Sequence, residues 1–372
     1  MVTLLTTTAN APGKVILFGE HAVVYGTTAI AASVSSLRVS ATISSTSTPT
    51  VRVALNNLTS KKDGKPLIRS WNLSAIAAAF HSIAQDKDFL PRPSARAIDA
   101  LRSILIDEDP KDINALRPAL FLLVAIVPEI LNSTSGVNID VVSGEFPVGA
   151  GLGSSAAFCT AVSAALLKAR SKSTVDLEVV NNYAFAAEVL LHGNPSGVDN
   201  SVATFGGAIV FKRGLETIMK KLVIPPLRIL LTNTHVPRET KVLVAGVRQL
   251  YDANPSAIQA LFDTIEGLAG SFQHHVTGNT LTDVVLSQIM ATNQVALEAM
   301  QVSHTSIQSI CAASKEHQMT TKLTGAGGGG CTITLIPADC SNETLKALIK
   351  DLEAFGFTCL ETSLGGAGVQ WS

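Results

Sequence analysis

The residues best suited to chemistry in this chain form a glycine- and serine-rich segment, PVGAGLGSSAA, at 147–157. Its glycines allow the backbone to approach an anion closely. The free N–H groups of the helix predicted to follow favour negative charge at the same point. The hydroxyl groups of Ser154 and Ser155 can bind phosphate oxygens or a hard cation such as Mg²⁺. The segment therefore predicts a phosphate site, although an ordinary turn has the same composition.

Better-known phosphate motifs do not fit this chain. A P-loop needs a lysine directly after its glycines, and none follows here. The dinucleotide fingerprint is matched at 151–156 and at 325–330. However, the first match lacks a later strand that ends in an acid, and the second runs into a predicted strand instead of a helix. We therefore expect no Rossmann-type dehydrogenase.

Three charged side chains are candidates for chemistry around this phosphate site. Lys14 is the only charge before Glu20, and it is either an edge-strand residue in solvent or a cation held in a site. Glu188 has mostly apolar neighbours on a predicted helix, so its carboxylate needs a cation such as Mg²⁺ or a donor such as His192. Asp199 lies in a predicted loop rich in Gly, Asn and Pro, where aspartate by itself is typical of a turn.

Two further segments are candidates for ligand contact. Glu20 and His21 follow the strand predicted around Lys14, at the end where ligand-facing residues tend to lie, although a lone histidine is more often structural. The segment TGAGGGGC at 324–331 holds more glycines than one turn needs. Its backbone is therefore predicted to approach a ligand or another strand closely.

Composition limits the class of protein. The chain has 372 residues, enough for two domains, and a formal net charge of -1, which argues against nucleic-acid and membrane-surface partners. Its five cysteines have no CxxC spacing and indicate reduced thiols of a cytoplasmic protein. The N-terminus has no signal-peptide pattern, and the apolar run at 119–127 is too short to span a membrane.

Hydrophobic patterning predicts an α+β protein in two parts, with a boundary near residue 225. Strands are expected at 14–19, at 37–55 with a turn at 44–50, at 137–143 and at 203–211, with a polar loop at 56–65. Helices are expected in three segments of 74–131, at 155–170 and at 175–191. The second part is predicted to hold a strand at 227–232, helices at 239–251, 254–276, 280–300, 303–317 and 341–354, strands on both sides of the second glycine segment, and two short final strands.

Four ordered segments resemble the motifs of the GHMP small-molecule kinases. They are APGKVILFGEHAVVYG at 11–26, PVGAGLGSSAA at 147–157, HGNPSGVDN at 192–200 and KLTGAGGGGC at 322–331. The stretch LTNTHVPRETKVLVAGVR at 231–248 is typical of those members that act on mevalonate. The resemblance implies an N-terminal domain at 1–225 similar to ribosomal protein S5 domain 2 and a ferredoxin-like C-terminal domain at 226–372, with ATP and substrate in the cleft between them.

The resemblance also implies a role for each site residue. Asp199 would accept the proton of the attacking hydroxyl or orient that hydroxyl, with Lys14 beside it. Ser155 and Glu188 would bind Mg²⁺. The nucleotide phosphates would be wrapped by Gly149, Ala150, Gly151, Leu152, Gly153, Ser154 and Ser155. The substrate pocket would be lined by Glu20, His21 and Thr240, with His21 as the donor to the substrate carboxylate.

The implied reaction is the ATP-dependent phosphorylation of the 5-hydroxyl of mevalonate, a step of isoprenoid and sterol biosynthesis, by a cytoplasmic homodimer. A sibling kinase acting on phosphomevalonate or on a sugar is the nearest alternative, and Arg238 and Lys241 lie close enough in sequence to Thr240 to serve a second phosphate. A non-catalytic binding relative is the other alternative. Retention of Lys14, Glu188, Asp199 and both serines argues against it.

Overall fold

A computed structural model describes residues 4–81, 83, 89–144, 146, 151–171, 173–214 and 217–372. Alternating, β-branched segments form the strands, as the patterning predicted. The strands are β1 (Thr7–Phe18), β2 (Thr28–Thr46), β3 (Thr50–Thr59), β4 (Pro66–Asn72), β5 (Gly136–Val142), β6 (Ala208–Lys212), β7 (Ile218–Leu222), β8 (Leu227–Asn233), β9 (Thr320–Leu323), β10 (Cys331–Leu335), β11 (Thr358–Leu364) and β12 (Gln370–Trp371).

The helices pack against these strands and confirm the α+β class. They are α1 (Leu73–Phe80), α2 (Ala95–Ile104), α3 (Pro110–Ile126), α4 (Ser154–Arg170), α5 (Leu177–His192), α6 (Val198–Phe205), α7 (Thr240–Ala253), α8 (Pro255–Thr277), α9 (Asp283–Ala299), α10 (Thr305–Glu316) and α11 (Asn342–Ala354). Among the described helices, none combines the length and the apolar character that a membrane crossing needs.

Strand β2 connects the two ends of the chain. It pairs with β1, β5 and β6, and through Val34 and Leu364 with β11. Strand β11 continues the sheet into β8, β10 and β9, so the described strands form one sheet in the order β4-β3-β5-β2-β11-β8-β10-β9, with the other four attached at its side. The proposed domain division at 225 stays a prediction, and strands after it return to β2 and β1.

Helix α4 lies beneath the strand that carries Lys14. Its first turns are buried through Ala156, Ala157 and Cys159, and it packs against β1, β2 and α5. A helix covered on so many sides has little surface left for charge, which explains why its sequence is rich in alanine and uncharged until Lys168 in its last turn. Its N-terminus therefore stays fixed directly beside β1.

Some predicted elements differ from the observed ones. Strand β1 begins at Thr7, the predicted loop at 56–65 contains the end of β3, and strand β4 was not predicted. The predicted strand at 203–211 is wrong at its start, because residues 203–205 end helix α6 and the strand begins at Ala208. Helix α6 has eight residues, six of them buried, so it shows no one-sided periodicity by which to identify it.

Candidate active site

Lys14 and Asp199 form an ion pair at the floor of the cleft. Lys14 Nζ lies 3.3 Å from Asp199 Oδ2, and the two side chains are 11% and 37% exposed. Asp199 is not in a loop, as its neighbours in sequence had suggested, but in the first turn of α6. A carboxylate at a helix N-terminus is favoured by the helix dipole. The pair therefore presents a fixed carboxylate to the cavity beside an ammonium group.

The glycine segment reaches the same point. Leu152 O accepts a 2.8 Å hydrogen bond from the backbone N–H of Lys14, which ties the segment to β1. Gly153 has φ of 72° and begins α4 with no side-chain cap, so the N–H groups of the first turn are left to a ligand. Gly149 and Ala150, the first two predicted phosphate contacts, lie outside the described residues.

Glu188 is a buried carboxylate, 3% exposed, at the inner end of the cleft. It accepts a hydrogen bond from Ser155, lies 3.7 Å from Cys159 Sγ and 3.6 Å from His192 Nε2. Burial, and then the negative charge of Asp199, raise its pKa to about 7. The structure is therefore compatible with both alternatives from the sequence. His192 lies close enough to act as a donor to Glu188, and Ser155 lies close enough to bind a cation together with it.

The donor set of Ser155 and Glu188 fits Mg²⁺. A carboxylate and a hydroxyl are hard oxygen donors, and Mg²⁺ is usually held by one or two such groups together with substrate phosphates. No cluster of three or more His, Cys, Asp or Glu side chains suited to a metal is found in the part of the chain that the structure describes. The remaining ligands would accordingly be oxygens of a nucleotide and water.

Glu20 is not brought to the cavity. It is fully buried and pairs with Lys322 of β9, which is fully buried as well. Burial raises the pKa of Glu20 and lowers that of Lys322, while each charge opposes the shift of the other. The predicted contact of Glu20 with substrate is therefore unsupported, because Lys322 holds this carboxylate behind the cavity wall.

His21 lies in the wall of the cavity, but its hydrogen bonding differs from the expected one. Its Nε2 is 2.8 Å from the carbonyl oxygen of Ala326, so that nitrogen donates. Burial lowers the pKa of the ring, and Nδ1 is itself buried with no hydrogen-bond partner among the described residues. The neutral ring in this tautomer has no N–H left for a carboxylate. We therefore revise the expectation that His21 binds the substrate carboxylate.

Arg238 is the functional candidate that sequence reasoning underrated. It precedes α7, and its guanidinium lies against both glycine segments: a Cβ on Gly151 would fall 1.2 Å from Nη2, and one on Gly325 3.1 Å from Nη1. Burial lowers its pKa. No hydrogen bond or ion pair satisfies it within the described residues. A half-buried cation without a partner is a strong anion-binding group.

These groups converge on one cavity of about 710 Å³. It is lined by Lys14, Ile16, His21, Val24, Gly151, Gly153, Ser154, Ser155, Glu188, His192, Pro195, Ser196, Gly197, Asp199, Asn200, Arg238, Thr240, Val244, Gly325 and Ala326. An apolar pocket adjoins it and shares Ser154 and Ser155. That pocket is lined further by Val39, Leu55, Asn57, Leu58, Asn114, Ala115, Pro118, Val141, Ser143, Phe158 and Leu191.

Comparison with known sequences shows the family to which the chain belongs. Residues 119–207 match the model of the GHMP kinase N-terminal domain. The sequence is 35% identical to mevalonate kinase of Arabidopsis thaliana, over 97% of this chain and 98% of the relative. It is 36% identical to mevalonate kinase of Mus musculus, over 97% of this chain and 93% of the relative.

The fold is similar to that of a solved structure as well. The crystal structure of L. major mevalonate kinase in complex with R-mevalonate superposes with a TM-score of 0.71, at 22% identity, over 98% of each chain. At this identity the likeness concerns the fold.

Proposed function

Since this chain belongs to the mevalonate kinase family of the GHMP kinases, we propose that it transfers the terminal phosphoryl group of ATP to the 5-hydroxyl of mevalonate and produces 5-phosphomevalonate. The observation that carries the proposal is the Lys14–Asp199 pair, which lies at the head of the phosphate-binding segment in one cavity. A hydroxyl and a phosphoryl group would meet there. The product belongs to the route toward isoprenoids and sterols.

The nucleotide would lie across the two adjoining hollows. Its phosphates would bind the backbone of 151–155 and the first turn of α4, where N–H groups and the helix dipole favour negative charge. The adenine ring would enter the apolar pocket, in which Asn57 and Asn114 offer polar groups. The shared lining by Ser154 and Ser155 supports this arrangement, because it sets the two hollows side by side.

Mg²⁺ would be held by Ser155 and Glu188 together with the nucleotide. When bound, the ion supplies positive charge to the phosphate oxygens on which negative charge accumulates during transfer. Without it, Glu188 is a buried carboxylate whose described neighbours are a serine, a cysteine and a half-exposed histidine. The shortage of positive charge next to the Glu188 carboxylate supports its assignment as a ligand of Mg²⁺.

The acceptor would be positioned by groups from both halves of the chain. Asp199 Oδ2 would accept the proton of the 5-hydroxyl or orient it, and Lys14 would stabilise the developing oxyanion and the transferred group. Arg238 would bind the carboxylate of mevalonate in a charge-assisted hydrogen bond. His21 would contribute its neutral ring to the wall beside the acceptor.

The charge of the cavity favours mevalonate over a phosphorylated acceptor. Lys14 and Arg238 are the lysine and arginine that line it within the described chain, whereas Lys241 does not. After the nucleotide phosphates and one carboxylate are neutralised, no lysine or arginine of that lining remains for a second phosphate.

A coupled assay of ADP release tests the proposal. We expect the highest kcat/KM for mevalonate and little turnover of phosphomevalonate, galactose or homoserine. Arg238→Ala should raise KM for mevalonate strongly, and His21→Ala should raise it less. A preference for phosphomevalonate would overturn the assignment, and an unchanged KM in Arg238→Ala would move the carboxylate contact elsewhere.

Two further expectations about the whole protein stay predictions. We propose that it works as a cytoplasmic homodimer, without nucleic-acid or membrane partners. A molar mass measured by light scattering tests the first part. A mass equal to that of one chain at working concentration would contradict it.

A further inference from the structure

His192 occupies a place that the proposed reaction does not yet use. It ends helix α5 one turn after Glu188, and its ring is 54% exposed. Nε2 lies 3.3 Å from Ser155 Oγ and 3.6 Å from Glu188 Oε2. Ser155 in turn hydrogen-bonds Glu188. The imidazole therefore adjoins both side chains proposed to hold the cation.

The two separations measured from Nε2 are slightly longer than those between neighbouring ligands of one octahedral ion. Neighbouring ligands about 2.0–2.1 Å from an octahedral Mg²⁺ are about 2.8–3.0 Å from one another. The 3.3 Å and 3.6 Å separations from Nε2 exceed this interval by about 0.3–0.8 Å, which rotation of the half-exposed ring can supply. Ser155 Oγ, Glu188 Oε2 and His192 Nε2 can thus face a common cation with little movement.

Local charge also favours a cation at this position. His192 lies in the last turn of α5, where the negative end of the helix dipole attracts positive charge. Glu188 and Asp199 add two carboxylates, against the single ammonium of Lys14. The ring borders both the cleft cavity and a neighbouring hollow, so Nε2 can reach a ligand without unpacking a core.

We propose that His192 is a third protein ligand of the nucleotide-bound divalent cation and that it gives the site a preference for ions that accept nitrogen. Hydroxyl and carboxylate oxygens suit Mg²⁺ and Mn²⁺, whereas imidazole suits Ni²⁺ and Zn²⁺ better. The inference rests on the proposed function, because oxygens of the bound nucleotide must complete the coordination. The inference attributes the metal selectivity of the site to the His192 side chain.

Pulsed electron paramagnetic resonance of Mn²⁺ bound with a non-hydrolysable ATP analogue tests this directly. The parent should show nitrogen coupling from a coordinated imidazole. His192→Gln should lose that coupling while it still binds the ion. His317→Gln is the matched control, because His317 pairs with Asp351 away from the cavity lining and should leave the signal unchanged.

Metal affinity gives a second readout, measured in the presence of the same analogue. In His192→Gln the Kd for Ni²⁺ should rise about tenfold or more, while the Kd for Mg²⁺ should change much less. Equal weakening of both ions would overturn the inference, as would bound Mn²⁺ without nitrogen coupling in a parent enzyme that phosphorylates mevalonate. Absence of nucleotide-dependent Mn²⁺ binding together with absence of mevalonate turnover would overturn the proposed function and this inference with it.

Discussion

Two lysine–carboxylate pairs near strand β1 consist of the same chemical groups but differ in their access to the cavity. Lys14 and Asp199 face the cavity with 11% and 37% of their side chains exposed. Glu20 and Lys322 are fully buried, and they join the end of β1 to β9 across 302 positions of sequence. The first pair can exchange partners with a substrate, whereas the second cannot. Access from the cavity, and not residue type, separates the pair that a ligand can reach from the pair that joins two strands.

The buried pair has a cost that the open pair avoids. Removing two charges from water costs several kcal/mol for each ion, and their attraction offsets this only when both are present. Lys322 Nζ also donates to Leu323 O at 2.7 Å, and the next residue, Thr324, donates to Ile16 O at 2.8 Å. The pair therefore fixes the second glycine segment against β1, which carries Lys14.

The strongest test of the open pair is Asp199→Asn. Loss of a positioned proton acceptor should lower kcat by about 10²–10⁴-fold, with unchanged ATP affinity and unfolding midpoint. Steady-state kinetics and a urea melt measure these quantities. Near-normal turnover in a folded Asn variant would remove Asp199 from the chemistry.

Substitutions in the buried pair should change the free energy of unfolding. Glu20→Gln and Lys322→Met each leave a buried group without its partner, so each should lower the free energy of unfolding by about 3–5 kcal/mol. The double variant should recover much of that loss, because it contains no buried charge at this position. Lys14→Met is the control and should lower the free energy of unfolding less than either of these variants, because the cavity leaves Asp199 partly exposed to water. Additive losses in the double variant would contradict the comparison.

Glu188 sharpens the comparison, since it is buried like Glu20 but forms no ion pair with a lysine among the described residues; the charge of Lys14 opposes the shift of its pKa only weakly. Burial raises its pKa from 4.5 to about 7. The native state therefore holds a proton more tightly than the unfolded chain does. Without metal and nucleotide, the corresponding stability is present below pH 4.5 and is lost as pH rises to about 7.

The variant Glu188→Gln isolates this effect. The difference in unfolding free energy between parent and variant should change by roughly 3 kcal/mol across that interval, as measured by urea melts at several pH values. The variant should also need more Mg²⁺ for activity. A pH-independent difference would show that Glu188 is ionised in both states.

Gly151→Ala gives the smallest expected effect and addresses the surroundings of the open pair. A Cβ at Gly151, where φ is 73°, would displace the guanidinium of Arg238. ATP and ADP affinity should fall together about tenfold, close to 1.4 kcal/mol. Gly356→Ala is the control, because φ is 83° there with open space around it. It should lower stability without changing nucleotide affinity, and an equal loss of affinity in both variants would refute the steric account.

Local signals explain what could be predicted from the sequence. Strand alternation predicted residues 37–43 of β2 but not its first part, and the alanine-rich helix after the glycine segment is α4. Helix α6 was missed because eight mostly buried residues show no periodicity. The remaining features depend on partners that are distant in sequence. The structural role of Lys322 follows from its ion pair with Glu20, and the place of Arg238 follows from its contact with two glycine segments, one before it and one after it in sequence. No window of sequence contains those pairs.

The last strand has a consequence for the order in which the protein is made. Strand β12 pairs with β1 through Trp371 and Ala9, and the indole N–H of Trp371 donates to Ala164 O of α4 at 3.0 Å. Until residues 358–371 have been synthesised, β1 keeps an unpaired edge and β2 lacks its contact with β11. Strand β1, which carries Lys14, is thus completed only when residues 358–371 have joined the sheet. A chain cut before residue 358 would therefore lack part of the support of the strand on which Lys14 lies.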